Sequence, residues 1–263
     1  MLFSRSQPAI LALGLAVAMA CGPSFRVGQY RSSESLFGAG IAQVRERKWD
    51  NAVQAFERLT LELPARDSLL PLSHYYLAQA YSGRGDHLLA AQAYLRMAES
   101  FATDTLADQA MYRAGREYQR MWRRPTLDPQ YGGEATIVYQ TLLGLYPDSP
   151  WADSATAQLR LLQEMYATKD YETAMHYVRR RAWDSAIIYL RDVVERYPEA
   201  ARARDAYLRL AEAYDAIRYR DDKNDVCNTL RERYPQDREV VAVCGRPVVA
   251  PAAQATPARR DTT

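Results

Sequence analysis

YETAMHYVRRRAWDSAIIYLRDVVERYP, Tyr171 to Pro198, reads as two amphipathic helices joined by a short turn and closed by a proline. Ala174 and Tyr177 mark the first helix. Trp183, Ala186, Leu190 and Val193 follow on the second, three to four residues apart. Pro198 ends the unit, because a proline ring clashes with a continuing helix and lacks the N–H that the helix needs. Small residues at a helix crossing let two backbones approach, and aromatic rings fill the grooves on either side.

The same ending recurs outward in both directions, at Leu61-Glu62-Leu63-Pro64, Leu145-Tyr146-Pro147 and Glu232-Arg233-Tyr234-Pro235. Counting back from each proline recovers small, aromatic and large positions in the same order. The first unit has Gly40, Trp49, Ala52, Phe56, Leu59 and Pro64. The second has Leu77, Ala78, Tyr81, Gly85, Ala90, Tyr94 and Met97, with Ala102 in place of the proline. Gly115, Tyr118, Ala135, Tyr139, Leu142 and Pro147 form the third. The fifth has Leu210, Ala211, Tyr214, Cys227, Leu230 and Pro235, with Asn224 at a normally small position. This is the tetratricopeptide pattern. It predicts an all-α fold, a tetratricopeptide-repeat superhelix of five helix-turn-helix units plus a bridging helix.

Two departures from even spacing break the array. Trp122 to Pro129 adds residues between the helices of the third unit, and Pro125 and Pro129 forbid a helix there, so a protruding loop is expected. Trp151 to Asp170 carries Ala155, Leu159, Leu162 and Tyr166 at helical spacing and reads as the bridging helix, running into the fourth unit. Units one to three thus occupy 33–150, and the bridging helix with units four and five occupies 151–245. Residues 246–263, rich in Pro, Ala and Thr, read as a disordered tail.

The N-terminus stands apart. Arg5 precedes a short apolar run, Ala9 to Ala20, that has the length of a secretory signal core and not of a membrane span. The run ends Ala18-Met19-Ala20-Cys21-Gly22, which resembles the lipobox of bacterial lipoproteins, although Ala18 replaces the usual leucine. The resemblance implies a signal peptide at 1–20, acylation of Cys21 and a lipid-anchored linker at 21–32. Gly22 after the cysteine, where Asp is absent, implies export to the outer membrane, on its periplasmic face.

Composition excludes several classes. Thirty-four basic against 32 acidic residues give a net charge of +2 over 263 residues, so no electrostatic footprint for nucleic acid is present. His74, His87 and His176 lie in different units without the spacing of a metal site, and Gly38-Ala39-Gly40 and Gly83-Arg84-Gly85 lack the context of a phosphate loop. No catalytic arrangement and no cofactor are expected. Cys227 and Cys244 remain for a compartment where disulfides persist; two free buried thiols and a bridge both fit. Val240-Val241-Ala242-Val243-Cys244 is apolar enough to fold over the open end of the last unit, as terminal repeats require.

Beyond the repeats, Asp128-Pro129-Gln130, Tyr146-Pro147-Asp148-Ser149 and the run Tyr171 to Ala186 with Arg181-Ala182-Trp183 resemble the BamD (YfiO) family, outer-membrane lipoproteins of the β-barrel assembly machine. The resemblance covers about Ser33 to Pro235. It implies that the C-terminal units dock onto a barrel-forming subunit, BamA-like, and that the N-terminal units receive unfolded outer-membrane proteins. Many members carry an arginine for the first contact six residues after the tryptophan of unit four; here that place holds Tyr189, with Arg191 two residues on. The basic, aromatic-bearing helix end of Arg179, Arg180, Arg181, Trp183 and Tyr189 is therefore the expected partner interface. For clients, the inward positions of the first helices are Phe37, Ile41 and Val44, then Tyr75 and Gln79, then Tyr112, Arg116 and Gln119, with Arg116 placed for a carboxylate. Phe37, Ile41 and Val44 also suit packing against Ser24 to Ser32. Rival readings are another outer-membrane tetratricopeptide lipoprotein, such as a pilus-secretin pilot or a cell-envelope coordination protein, and an envelope enzyme with a helical body.

Overall fold

The computed structural model describes residues 25–245, which form eleven α-helices and no strand. The helices are α1 (Ser33–Arg45), α2 (Trp49–Glu62), α3 (Leu69–Arg84), α4 (His87–Ser100), α5 (Ala107–Met121), α6 (Gln130–Leu145), α7 (Ala152–Arg179), α8 (Trp183–Arg196), α9 (Ala203–Ala216), α10 (Arg220–Arg233) and α11 (Arg238–Cys244). Pro64, Pro147, Pro198 and Pro235 each follow a helix end, as their missing N–H and fixed φ require. The signal peptide, Cys21 and the tail 246–263 lie outside the described residues.

The pairs α1–α2, α3–α4, α5–α6 and α9–α10 are the first, second, third and fifth repeats. The end of α7 with α8 is the fourth. Four of the five inter-helix turns share one backbone solution. Arg47, Gly85, Arg181 and Arg218 adopt positive φ, and the next residue's N–H reaches back to the first helix: Lys48 to Gln43, Asp86 to Tyr81, Ala182 to Tyr177 and Tyr219 to Tyr214. This is a Schellman closure, which satisfies carbonyls that a helix end leaves open. Glycine fits it without cost. The three arginines do not, and each gives up roughly 1–2 kcal/mol in a left-handed conformation.

Two compact units divide the described residues: the residues up to Met121 with Tyr131–Ala155, and Trp122–Gln130 with Thr156 onward. In the N-terminal unit, Ala52, Phe56, Leu59, Leu70, Leu77 and Ala80 build a core between α1, α2 and α3. Small residues sit where the pattern requires them. A Cβ on Gly40 would lie 2.8 Å from Phe56 Cζ, and one on Gly115 would lie 2.5 Å from Tyr139 Cε1. Gly115→Ala therefore reverses the usual sign. In a free helix it would stabilise by up to about 1 kcal/mol, but the Tyr139 ring is wholly buried and cannot yield. Overpacking of about 1–3 kcal/mol wins, so the urea midpoint of Gly115→Ala is expected to fall with an unchanged slope.

Two features refine the sequence expectation. In the linker segment, Phe25, Val27 and Tyr30 are half-buried against the same core as Phe37, Ile41 and Val44, around a 3-10 turn at Val27–Gln29, in line with the packing alternative. The long loop is largely exposed, as read, but it is anchored at its start and near its end. Trp122 is 1% exposed, its ring centroid lies 4.6 Å from that of Tyr166, and Lys169 Nζ donates to the Leu127 carbonyl at 3.2 Å. The prolines prevent a helix, as read, but burying an indole and tying the loop to α7 outweighs leaving the segment in water.

In the C-terminal unit, Ala174, Ala186, Ile187, Leu190, Val193, Ala206 and Leu210 form the core. Its end is closed by α11, whose Val240 packs with Leu208 and Leu230. Asp237 caps α11 by accepting from Glu239 N and Val240 N. Arg204 hydrogen-bonds Asp237 and holds its pKa down to about 2. Cys227 and Cys244 are bridged, with Cα atoms 5.4 Å apart.

Candidate functional site

The first helices of repeats one to three frame an open cavity of about 490 Å³ in the N-terminal unit. Ile41 and Val44 of α1 and Tyr75 and Gln79 of α3, all named from the sequence, line it together with Arg45, Tyr76 and Arg113. An α-helix places i, i+3, i+4 and i+7 on one face, so each helix contributes a single stripe. On α5 the stripe is Gln109 and Arg113.

The other named residues do not reach this cavity. Phe37 packs edge-on to Phe56 at 5.7 Å and to Tyr76 at 5.9 Å, inside the aromatic cluster. Tyr112 stacks on Trp151 at 4.9 Å, and Arg116 Nη1 donates to its hydroxyl at 3.3 Å, which raises the Arg116 pKa. Gln119 Oε1 accepts from the Tyr139 hydroxyl at 3.2 Å. Gln109, Tyr112, Arg113 and Arg116 stand at i, i+3, i+4 and i+7 on one face of α5, so what draws Tyr112 and Arg116 away from the cavity is their contact with each other and with Trp151, while Gln119 lies a further turn along the helix.

Sequence reasoning also missed the polar network beneath. Glu117 is 4% exposed, and its carboxylate accepts from Ser82 Oγ at 2.7 Å and Arg120 Nη1 at 2.6 Å and meets His87 Nδ1 at 2.7 Å. Three partners, one from each of three helices, place His87 in a structural role, as buried carboxylates require. Nearby, burial pushes the Tyr94 hydroxyl well above its ordinary pKa, with Arg113 pulling the other way.

In the C-terminal unit, Arg179, Arg180 and Arg181 are exposed at the end of α7 and in the turn after it. None is in an ion pair among the described residues. Trp183 and Tyr189 are not surface anchors: both are half-buried against the core, and Tyr189 stacks on Tyr177 at 5.6 Å. That packing holds the arginine-bearing turn in place. Arg191 is held by Glu195 at 2.9 Å. A second cavity, of about 510 Å³, lies beside the basic turn and is lined by Lys169, His176, Tyr177 and Arg179 of α7 and Thr126 of the packed loop.

No helix of the described residues is long and apolar enough to cross a membrane. The pattern of the YfiO family, described as an outer membrane lipoprotein, matches residues 30–230, spanning all five repeats. The chain belongs to the YfiO family of outer membrane lipoproteins. "Outer membrane protein assembly factor BamD" of Vibrio cholerae is 25% identical over 221 residues, 78% of this chain and 89% of its own length. The protein of that name from Xylella fastidiosa is 26% identical over 183 residues, 70% of this chain and 53% of its own length, so the match spans about half of that relative. Among solved structures, the TPR domain of P58(IPK) aligns with 92% of this chain and 58% of its own at a TM-score of 0.42 and 12% identity. YfiO membership places the chain at the outer membrane.

Proposed function

We propose that this chain is a lipid-anchored scaffold on the periplasmic face of the outer membrane, holding a barrel-forming subunit and unfolded barrel clients together during β-barrel assembly. The observation that carries the reading is the family match across residues 30–230, joined to relatives named as outer membrane protein assembly factors. Cys21 supplies the anchor, through several acyl chains at about 0.8 kcal/mol per buried CH₂. The C-terminal unit carries the contact with the barrel-forming, BamA-like subunit through Arg179, Arg180 and Arg181, whose guanidiniums are exposed and unpaired. The N-terminal unit takes the client. Barrel strands alternate apolar and polar residues, and Ile41, Val44 and Tyr75 offer one apolar side while Gln79 offers amide hydrogen bonds.

The test is recovery of partners from solubilised membranes with the tagged chain. Charge reversal at both Arg180 and Arg181 is expected to lower the recovered barrel subunit by about tenfold or more, since charged contacts set partner choice and encounter rate. Undiminished recovery would move the interface away from this turn.

A further inference from the structure

A groove of about 390 Å³ opens on the C-terminal unit, lined by α8, α9 and α10. Val194, Leu210 and Val226 give it an apolar surface, and the Tyr207 and Tyr214 rings line it. Its rim is acidic. Asp222 and Asp225 are exposed and in no ion pair among the described residues, while Glu195 holds Arg191 at 2.9 Å. The other cations nearby are occupied: Lys223 pairs with Asp215 at 2.8 Å, and Arg233 lies over the Tyr207 ring, 5.9 Å from its centroid. Two large apolar side chains are left in water beside the groove. Ile188, on the face of α8 that carries Arg191 and Glu195, is 62% exposed, and Tyr219, whose ring stacks on Tyr214, is 56% exposed.

The chain carries a segment that matches this surface. Residues 246–263 hold Arg246, Arg259 and Arg260 against Asp261 alone, and Pro257 and Ala258 stand directly before the arginine pair. We propose that this segment docks in the groove, with Pro257 and Ala258 on the tyrosine-lined floor and Arg259 and Arg260 at Asp222 and Asp225. Four extended residues span about 13 Å, and the lining of α10 from Asp222 to Thr229 runs about 10 Å, so the two lengths agree. A proline brings a backbone already restricted in φ to an aromatic-lined groove, which lowers the ordering cost of docking. Each arginine can meet a carboxylate in a bidentate pair. The tether allows the approach. Cys244 is bridged to Cys227 with Cα atoms 5.4 Å apart, so the segment starts beside the middle of α10. Asp222 lies five residues from Cys227, about 7–8 Å along the axis and on roughly the opposite side. Passing round a helix of 10–12 Å diameter takes less than about 20 Å, whereas the 12 positions from Gly245 to Pro257 can span about 40 Å. Such a tether sets an effective concentration of order millimolar, so a contact with a Kd of about 0.1 mM is about nine-tenths formed within the chain.

The experiment titrates a fluorescently labelled peptide of residues 246–263 into the oxidised full chain and its variants. In the parent, the chain's own segment competes and the peptide binds weakly. Arg259→Gln with Arg260→Gln in the chain, checked as folded by circular dichroism, is expected to free the groove and tighten peptide binding about tenfold, the factor set by the millimolar tether. Adding Asp222→Asn and Asp225→Asn to that variant is expected to abolish binding. A chain with Asp222→Lys and Asp225→Lys is expected to recover it for a peptide carrying Arg259→Glu and Arg260→Glu. Equal peptide affinity for the parent and the arginine variant means that the chain's own segment is not in the groove, and overturns the inference. So does an arginine variant that binds no peptide at millimolar concentration. Binding that survives loss of both aspartates, or a charge exchange that recovers nothing, places the arginines elsewhere and overturns it too. A peptide of the same composition in scrambled order that binds equally well reduces the contact to net charge, and the assignment of Pro257 and Ala258 to the floor falls with it.

Discussion

Replacing Trp122 by alanine is expected to lower the unfolding free energy of the C-terminal unit by about 3–5 kcal/mol, the range for deleting a fully buried large aromatic. Trp122 is among the largest side chains wholly removed from water. It lies in the segment between α5 and α6, yet its ring packs on Tyr166 of α7. The Tyr166 hydroxyl donates to the Pro129 carbonyl at 3.4 Å and Lys169 to the Leu127 carbonyl at 3.2 Å, so the indole and two hydrogen bonds fix the loop. Trp122→Phe provides the contrast. The indole N–H has no partner, and a buried unsatisfied donor costs about 1–3 kcal/mol. Phenylalanine loses volume but removes that cost, so its net effect is expected to stay near 1 kcal/mol. Urea titrations followed by far-UV circular dichroism measure both. A penalty under about 1 kcal/mol for the alanine variant would show that the two hydrogen bonds alone hold the loop.

The same tryptophan marks the boundary of what the residues alone disclose. Pro125 and Pro129 announce that no helix runs from α5 to α6, because proline acts locally on its own backbone and on the residue before it. Where the intervening segment lies depends on a partner far along the chain, and no local rule reports that. The repeats were legible for the opposite reason. Gly40 against Phe56 and Gly115 against Tyr139 are contacts within one helix pair, so the spacing of small and large residues records them directly. The turn arginines were harder to see. Gly85 declares a left-handed residue; Arg47, Arg181 and Arg218 occupy the same conformation without that signature.

For the candidate site, four of the residues named from the sequence line the cavity and four do not. Ile41 and Val44 on α1, and Tyr75 and Gln79 on α3, line the cavity, each pair three or four residues apart on one helix face. On α5 the positions left open run Gln109, Arg113, Arg116 and Arg120 along one stripe, so periodicity gives the face but not which arginine enters the cavity. Arg116 is drawn aside by the Tyr112 hydroxyl, a side-chain contact that spacing does not report. The exposed arginines after α7 were legible because a basic run at a helix end needs no rotational information. Trp183 and Tyr189 were overread, because an aromatic in a repeat more often fills the core than faces a partner.

Opening the Cys227–Cys244 bridge is expected to lower the stability of the last repeat by roughly 3 kcal/mol, the chain-entropy value for a loop of about 15 residues. The bridged residues are separated by 17 positions and join α10 to the end of α11, the helix that closes the repeat array. Opening it leaves other contacts in place: Val240 still packs on Leu208 and Leu230, and Arg204 still reaches Asp237 and Glu239. The cap therefore loosens before the unit unfolds. Its seven residues form too short a helix to persist without the surface beneath. Detached, it uncovers Leu208 and Leu230, and terminal repeats without a cap associate. Two urea titrations decide the matter, one of the oxidised chain and one of the chain held in reductant. The reduced form is expected to show a lower midpoint and to sediment partly as oligomers. Cys227→Ala with Cys244→Ala should match it under oxidising conditions, because alanine removes the bridge without burying a new hydroxyl where Cys227 is 2% exposed. Coincident midpoints would mean that the apolar contacts and the Arg204 pairs alone hold the cap, with the bridge adding less than about 0.5 kcal/mol.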